Sequence, residues 1–169
     1  MKKKILWTLS LLIFSSVLFA QTPKANDIVG LWYSEKDADG LIPVVEIFEE
    51  NGKYYGYFFD YKGGYNGPDK KDVKNPNKEL RDLPVKGLVY LMGLSFDQNE
   101  WKGGKIYNPY DGKTYNGKLS LEKNGQELLV RGSLDKAGIL GKTMRWTRVP
   151  DSEKSKYTPL KRSQLRRLN

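Results

Sequence analysis

An all-β domain of eight antiparallel strands, wound up and down into a closed barrel, is the fold this sequence predicts. Three observations carry it. Between Asp27 and Val149 no apolar run of any length keeps helical spacing, while short stretches rich in Val, Ile, Tyr, Phe and Trp recur. Gly, Asn, Asp and Pro separate those stretches, and two separators are the pairs Asn51-Gly52 and Asn124-Gly125, which favour the positive φ of tight hairpins. Tight turns make neighbours of successive strands, and closing such a meander removes its exposed edges. Two packed sheets in a sandwich are the alternative.

The strands are expected in the following order. The first spans residues 30–34, entered through a short turn at Asp27. The second spans 44–50, and Asn51-Gly52 turns it into the third, 53–61. Residues 62–86 are polar and carry Gly63, Gly64, Gly67, Pro68, Pro76 and Pro84; so long a connection is functional or locally folded, with a helical turn expected at 78–82. The fourth strand is 88–96 and the fifth 101–107, where Gly103-Gly104 forms a bulge that lets Trp101 and Ile106 share a face. Residues 108–112 turn into the sixth strand, 115–122, whose alternation is the cleanest. Tyr115, Gly117, Leu119 and Leu121 face the core; Asn116, Lys118, Ser120 and Glu122 face water. The seventh strand, 127–133, turns Leu128 and Val130 inward, and the eighth is 142–149. Residues 150–169 are expected to leave the barrel as a mobile or weakly helical basic tail.

The ends differ from the middle. Lys2, Lys3 and Lys4 precede an apolar run over 5–19 that closes at Ala20, the pattern of a secretory signal peptide helix over residues 1–20. Export to the periplasm or the extracellular space is therefore expected, with a barrel domain over 27–149. The formal charge of +9 resides mostly in the three leader lysines and in the tail, which has six basic and two acidic residues. A basic nucleic-acid-binding face on the domain is thus unsupported, and no nucleic-acid partner is expected. The tail, with Lys154, Lys156, Lys161, Arg162, Arg166 and Arg167 beside Leu160, Leu165 and Leu168, is either a solvated end or a peripheral contact for an anionic membrane surface.

Several phrases are more specific than a strand pattern. Gly30-Leu31-Trp32 opens the domain, and Asn75-Pro76 sits in the long connection. Trp101 to Pro109 reads Trp-Lys-Gly-Gly-Lys-Ile-Tyr-Asn-Pro and runs into Asp111-Gly112-Lys113-Thr114-Tyr115. Leu128 to Gly132 reads Leu-Leu-Val-Arg-Gly, and Trp146-Thr147-Arg148-Val149 closes the series. In this order, over residues 27–149, they resemble the exported bacterial family called domain of unknown function 2147. The resemblance implies a lipocalin-like, or calycin, barrel and no established activity. Many members of that family carry Cys just before the Asn-Pro; here Lys70-Lys71-Asp72-Val73-Lys74 stands there, so no thiol role transfers. The Gly-x-Trp start and the late arginines also resemble the lipocalin arrangement, which implies that Trp32 plugs one end beneath Arg148 or Arg145.

The chain has no His and no Cys, which removes Ser-His-Asp triads, Cys nucleophiles, thiolate zinc and His-ligated metal together. No cofactor and no metal are expected. Glu46, Asp60 and Asp111 are the carboxylates to weigh for glycoside-type acid–base chemistry, against the reading that they are solvated, paired or turn-forming. Asp69, Asp72 and Asn75 lack calcium-loop spacing.

Tyr54, Tyr55, Tyr57, Phe58, Phe59 and Tyr61 put aromatics on both faces of one strand. One face is core; the other, with Tyr57 and Phe59, is either a stacking surface or a strand covered by the long connection. Tyr107, Asn108, Asp111 and Tyr115 gather at one turn, where they orient a ligand at a barrel rim or serve turn geometry. The expected function is binding of a small apolar or amphipathic ligand by a monomeric, non-enzymatic envelope protein. An interaction module for another envelope component is the alternative, and a carboxylate-dependent hydrolase the third.

Overall fold

The structure, a computed structural model, describes residues 22–168. The leader reading falls on residues 1–20, outside those described. A 3-10 turn, Ala25–Ile28, leads into β1 (Gly30–Tyr33), β2 (Pro43–Glu50), β3 (Lys53–Tyr61), β4 (Leu88–Asp97), β5 (Glu100–Asn108), β6 (Lys113–Glu122), β7 (Glu127–Ser133) and β8 (Gly141–Arg148). Each strand pairs antiparallel with its successor, and β8 returns to β1 through Trp32 opposite Arg148 and Tyr33 opposite Thr147. The barrel is closed, so the sandwich alternative is set aside.

Local chemistry sets these elements. At one end the hairpins turn at Asn51-Gly52, Gln98-Asn99 and Lys123–Gly125, all with positive φ. Gly103 (φ +77°) interrupts the β5–β6 register between Lys102 and Gly104, so Trp101 and Ile106 both reach the interior. At Gly104 a Cβ would lie 2.4 Å from the Met92 carbonyl oxygen, so only glycine lets β4 and β5 approach this closely. The interior is built around Trp32, Tyr54, Trp101, Leu119, Leu128 and Trp146.

A second apolar cluster lies outside the barrel. The outer faces of β1 to β4 present Leu31, Tyr33, Phe48, Tyr57, Phe59 and Val89, and the C-terminal segment buries them with Val149, Tyr157, Leu160 and Leu165. After α1 (Asp151–Lys154), that segment ends in β9 (Arg166–Arg167), parallel to β4 at Leu88 and Val89. The place is vacant because β4–β5 pairing stops at Leu91 and Ile106. Tyr33 donates to Glu153 (2.7 Å), and Arg162 grips Glu46 with two bonds of 2.9 and 2.7 Å while lying 3.9 Å above Phe48.

Two expectations are corrected here. The tail is docked rather than detached, and it covers Tyr57 and Phe59 of β3, while the long connection covers only Tyr61, through Tyr65 and Lys70. The reason is area: a row of aromatics this wide must be covered, and the tail brings Tyr157, Leu160 and Leu165 to it.

Candidate binding site at the strapped end

Trp32 lies in the interior cluster beside the entry turn. Its ring is fully buried, its Nε1 donates to the Ile28 carbonyl (2.8 Å), and the Arg148 guanidinium lies 4.1 Å from its centre. Arg148 also donates to the carbonyls of Gly125 (2.8 Å) and Asp27, tying the entry turn to the β6–β7 turn. Arg145 has no part in this. It projects outward and pairs with Glu127 and Glu122, because Trp146 points inward and strand parity puts its neighbour outside.

The end opposite the Asn51-Gly52 turn is strapped by residues 62–87, which are locally folded. Asp72 N–H donates to Leu83 (3.0 Å) and Val85 N–H to Lys70 (2.7 Å), and Asn77 caps the 3-10 turn Lys78–Leu80. On one side Lys70 pairs with Asp37 (2.8 Å) and Asp39 of the β1–β2 loop, its ammonium 5.3 Å above the Tyr61 ring. On the other side the strap meets the β5–β6 turn, where a Cβ on Gly112 would lie 2.0 Å from the Lys74 carbonyl oxygen. Phe58, Tyr61, Tyr65 and Lys70 line a niche of about 30 Å³ beside the strap, about the share of one water in the liquid.

Burial alone would raise the Asp37 carboxyl. The Lys70 ammonium and the amides of Leu41 and Asp39 more than reverse this and hold it below the usual carboxylate value. A carboxyl lowered in the folded state adds stability above its unfolded value of about 3.9, and loses it as pH falls through the folded value. Asp37→Asn is therefore expected to lower stability near neutral pH and flatten the acid limb of a stability–pH profile, read by urea unfolding. An unchanged acid limb would show that the strap is held by other contacts.

Tyr90 and Met144 pack against the interior cluster yet are only half-buried, and Tyr90 meets Trp146 edge-on at 6.4 Å. Trp146 is 1 % exposed, and its indole Nε1 is buried with no acceptor among the described residues. Burying such a donor unpaired costs about 1–3 kcal/mol. An acceptor brought in from outside would remove that cost.

The residues singled out from sequence do not form one site. Tyr57 and Phe59 are 0 % and 2 % exposed under the tail, so neither is open to a ligand. The Tyr57 hydroxyl donates to Glu46, and burial followed by that carboxylate pushes it far above its ordinary value. Tyr107 faces the strap, its hydroxyl donating to Asp72 (2.8 Å). Asn108, Asp111 and Tyr115 do meet at the β5–β6 turn. Asn108 Oδ1 accepts from Tyr110 N–H (3.0 Å); Asp111 accepts from Lys113 N–H (2.9 Å) and from the Tyr115 hydroxyl.

The carboxylates of Glu46, Asp60 and Asp111 are engaged separately, with Arg162, the Tyr61 N–H and Tyr115. Among the described residues, no three His, Cys, Asp or Glu side chains are placed to hold a metal ion. Sequence reasoning passed over Tyr90, Trp146 and Lys70 as site residues. Trp146 was visible inside the closing motif, but its missing partner is a property of the packed interior.

Comparisons agree with this architecture. A family model described as an uncharacterized protein conserved in bacteria (DUF2147) matches residues 30–148. Among solved structures, protein HP1028 from the human pathogen Helicobacter pylori, described as belonging to the lipocalin family, is 35 % identical. The match covers 82 % of this chain and 94 % of that one, with a TM-score of 0.73. Comparison with curated proteins gave no match.

Proposed function

The chain belongs to the DUF2147 family, and from that premise we propose that it is an exported envelope protein whose lipocalin-like barrel holds a small amphipathic ligand beneath the strap. The observation that carries this is the Trp146 indole N–H, buried and unpaired beneath the half-buried Tyr90 and Met144. The ligand sets one acceptor, a carbonyl or ether oxygen, against that donor and lays an apolar body on Tyr90 and Met144. Export rests on the basic start, the apolar run over 5–19 and Ala20.

Native mass spectrometry of the protein purified from its own envelope tests the proposal, with Trp146→Phe beside it. The expected result is a retained small molecule whose occupancy falls at least tenfold in the variant. The variant's ligand-free stability should change by less than about 1 kcal/mol, because the volume lost is offset by the donor no longer left unpaired. An empty barrel in the parent chain, or equal occupancy in the variant, would reject the reading.

One observation favours a second reading, an interaction module. Leu134, Ile139 and Leu140 project from the β7–β8 turn at 66 %, 77 % and 65 % exposure. Asp135 accepts from the N–H groups of Ile139 and Leu140, and Arg131 donates to the carbonyls of Gly138 and Ile139. A turn tied this way displays its apolar side chains rigidly. An empty barrel would make this tip the leading contact surface.

A further inference from the structure

Outside the barrel, the strap and β9 enclose a cleft of about 280 Å³ lined by Asp72, Asn75, Leu80, Leu83, Leu88 and the two arginines of β9. A cavity of about 150 Å³ suffices for benzene, so this one suits a ligand somewhat larger.

Its lining is chemically divided. Leu80, Leu83 and Leu88 supply an apolar wall. Asp72 is 2 % exposed; one of its oxygens accepts from Tyr107 and the other from the Asn75 amide (2.7 Å). A carboxylate has about four acceptor sites, so roughly two remain.

The arginines differ. Arg167 is committed, paired with Glu50 and lying 4.7 Å above Tyr55. Arg166 is not: among the described residues its guanidinium makes a single hydrogen bond, from Nη2 to the Lys86 carbonyl (3.2 Å), out of five donors. Arg166 and Asp72 both line this cleft, and the hydrogen bonds of neither side chain reach the other. A buried carboxylate and a guanidinium in one cleft, each with capacity left, would gain from a molecule that carries both charges and lies between them.

We propose that this cleft binds a small zwitterion with an apolar side chain, such as an aliphatic α-amino acid. Its carboxylate sits on Arg166, its ammonium on Asp72, and its side chain against Leu80, Leu83 and Leu88. A dianion is disfavoured because Asp72 would repel its second charge. This site is independent of the barrel interior.

The experiment is a chemical-shift titration of the isotope-labelled full chain with L-leucine, 4-methylpentanoate and isoamylamine. The last two keep the side chain and one charge each. The expected result is saturable shifts at the amides of residues 72–88 and 166–167 with L-leucine, and at least tenfold weaker binding of each single-charge analogue. Arg166→Gln, whose backbone still pairs in β9, should weaken L-leucine at least tenfold. Absence of saturable shifts, shifts confined to the Trp146 indole, or equal binding of an analogue would overturn the proposal. So would unchanged affinity in a folded Arg166→Gln chain. The analogue arm decides the matter even where a variant fails to fold.

Discussion

A chain ending at Val149 is expected to lose about 4–6 kcal/mol of stability, and with it roughly 10–20 °C of melting temperature for a domain of this size. The deletion leaves all eight strands of the barrel intact, so an account based on the barrel alone would predict a small effect. The second apolar cluster says otherwise. Tyr33, Phe48, Tyr57 and Phe59 are 0–4 % exposed, and the residues that cover them include Tyr157, Leu160 and Leu165. Fully burying one large apolar side chain contributes about 1.5–3 kcal/mol, and the deletion uncovers each of these four in part. It also strands Glu46 without Arg162 and frees the β4 edge at Leu88 and Val89. Since a domain's whole stability is about 5–15 kcal/mol, the shortened chain should fold marginally or aggregate. Thermal unfolding followed by circular dichroism measures this. A melting temperature within about 3 °C of the parent would show that the tail rests on the barrel without supporting it.

The barrel was legible because its signals are local. The period-two alternation of β6 is visible within ten residues, and Asn51-Gly52 and Asn124-Gly125 announce their turns without reference to anything distant. Gly103-Gly104 could be read as a bulge because only a bulge brings Trp101 and Ile106 to one face. Parity could also have separated the two late arginines: once Trp146 is inward, Arg148 is inward and Arg145 is not.

The tail and the cleft depend on distant partners. β9 is two residues long and carries no strand pattern; it exists because β4 offers an unpaired edge nearly eighty positions earlier. Asp72 and Asn75 look like ordinary loop residues, yet both are buried, held by their own strap and, at Asp72, by the distant Tyr107 hydroxyl. The unpaired state of Trp146 is likewise set by everything that fails to reach it.

Trp32→Ala is expected to cost about 3–5 kcal/mol from lost burial and the cavity left behind. The local wiring raises the cost toward the upper end. Trp32 is fully buried, anchors the entry turn through Ile28, and carries the Arg148 guanidinium on its face. Burial already pulls the Arg148 guanidinium below its ordinary value, with Asp27 and Asp151 acting against that. Removing the indole leaves a partly desolvated cation above a void, which the carbonyls of Gly125 and Asp27 then hold in place.

A double-mutant cycle separates the stack from simple packing. Trp32→Leu, Arg148→Met and the pair together should show a coupling of about 0.5–2 kcal/mol, the range for a cation over an aromatic face. Coupling near zero would mean that the guanidinium serves only its carbonyl partners, and that the ring serves the interior by volume alone. In that case Trp32→Phe, which keeps most of the volume, should behave almost as the parent, and the late arginine would matter for the turns it ties rather than for the stack.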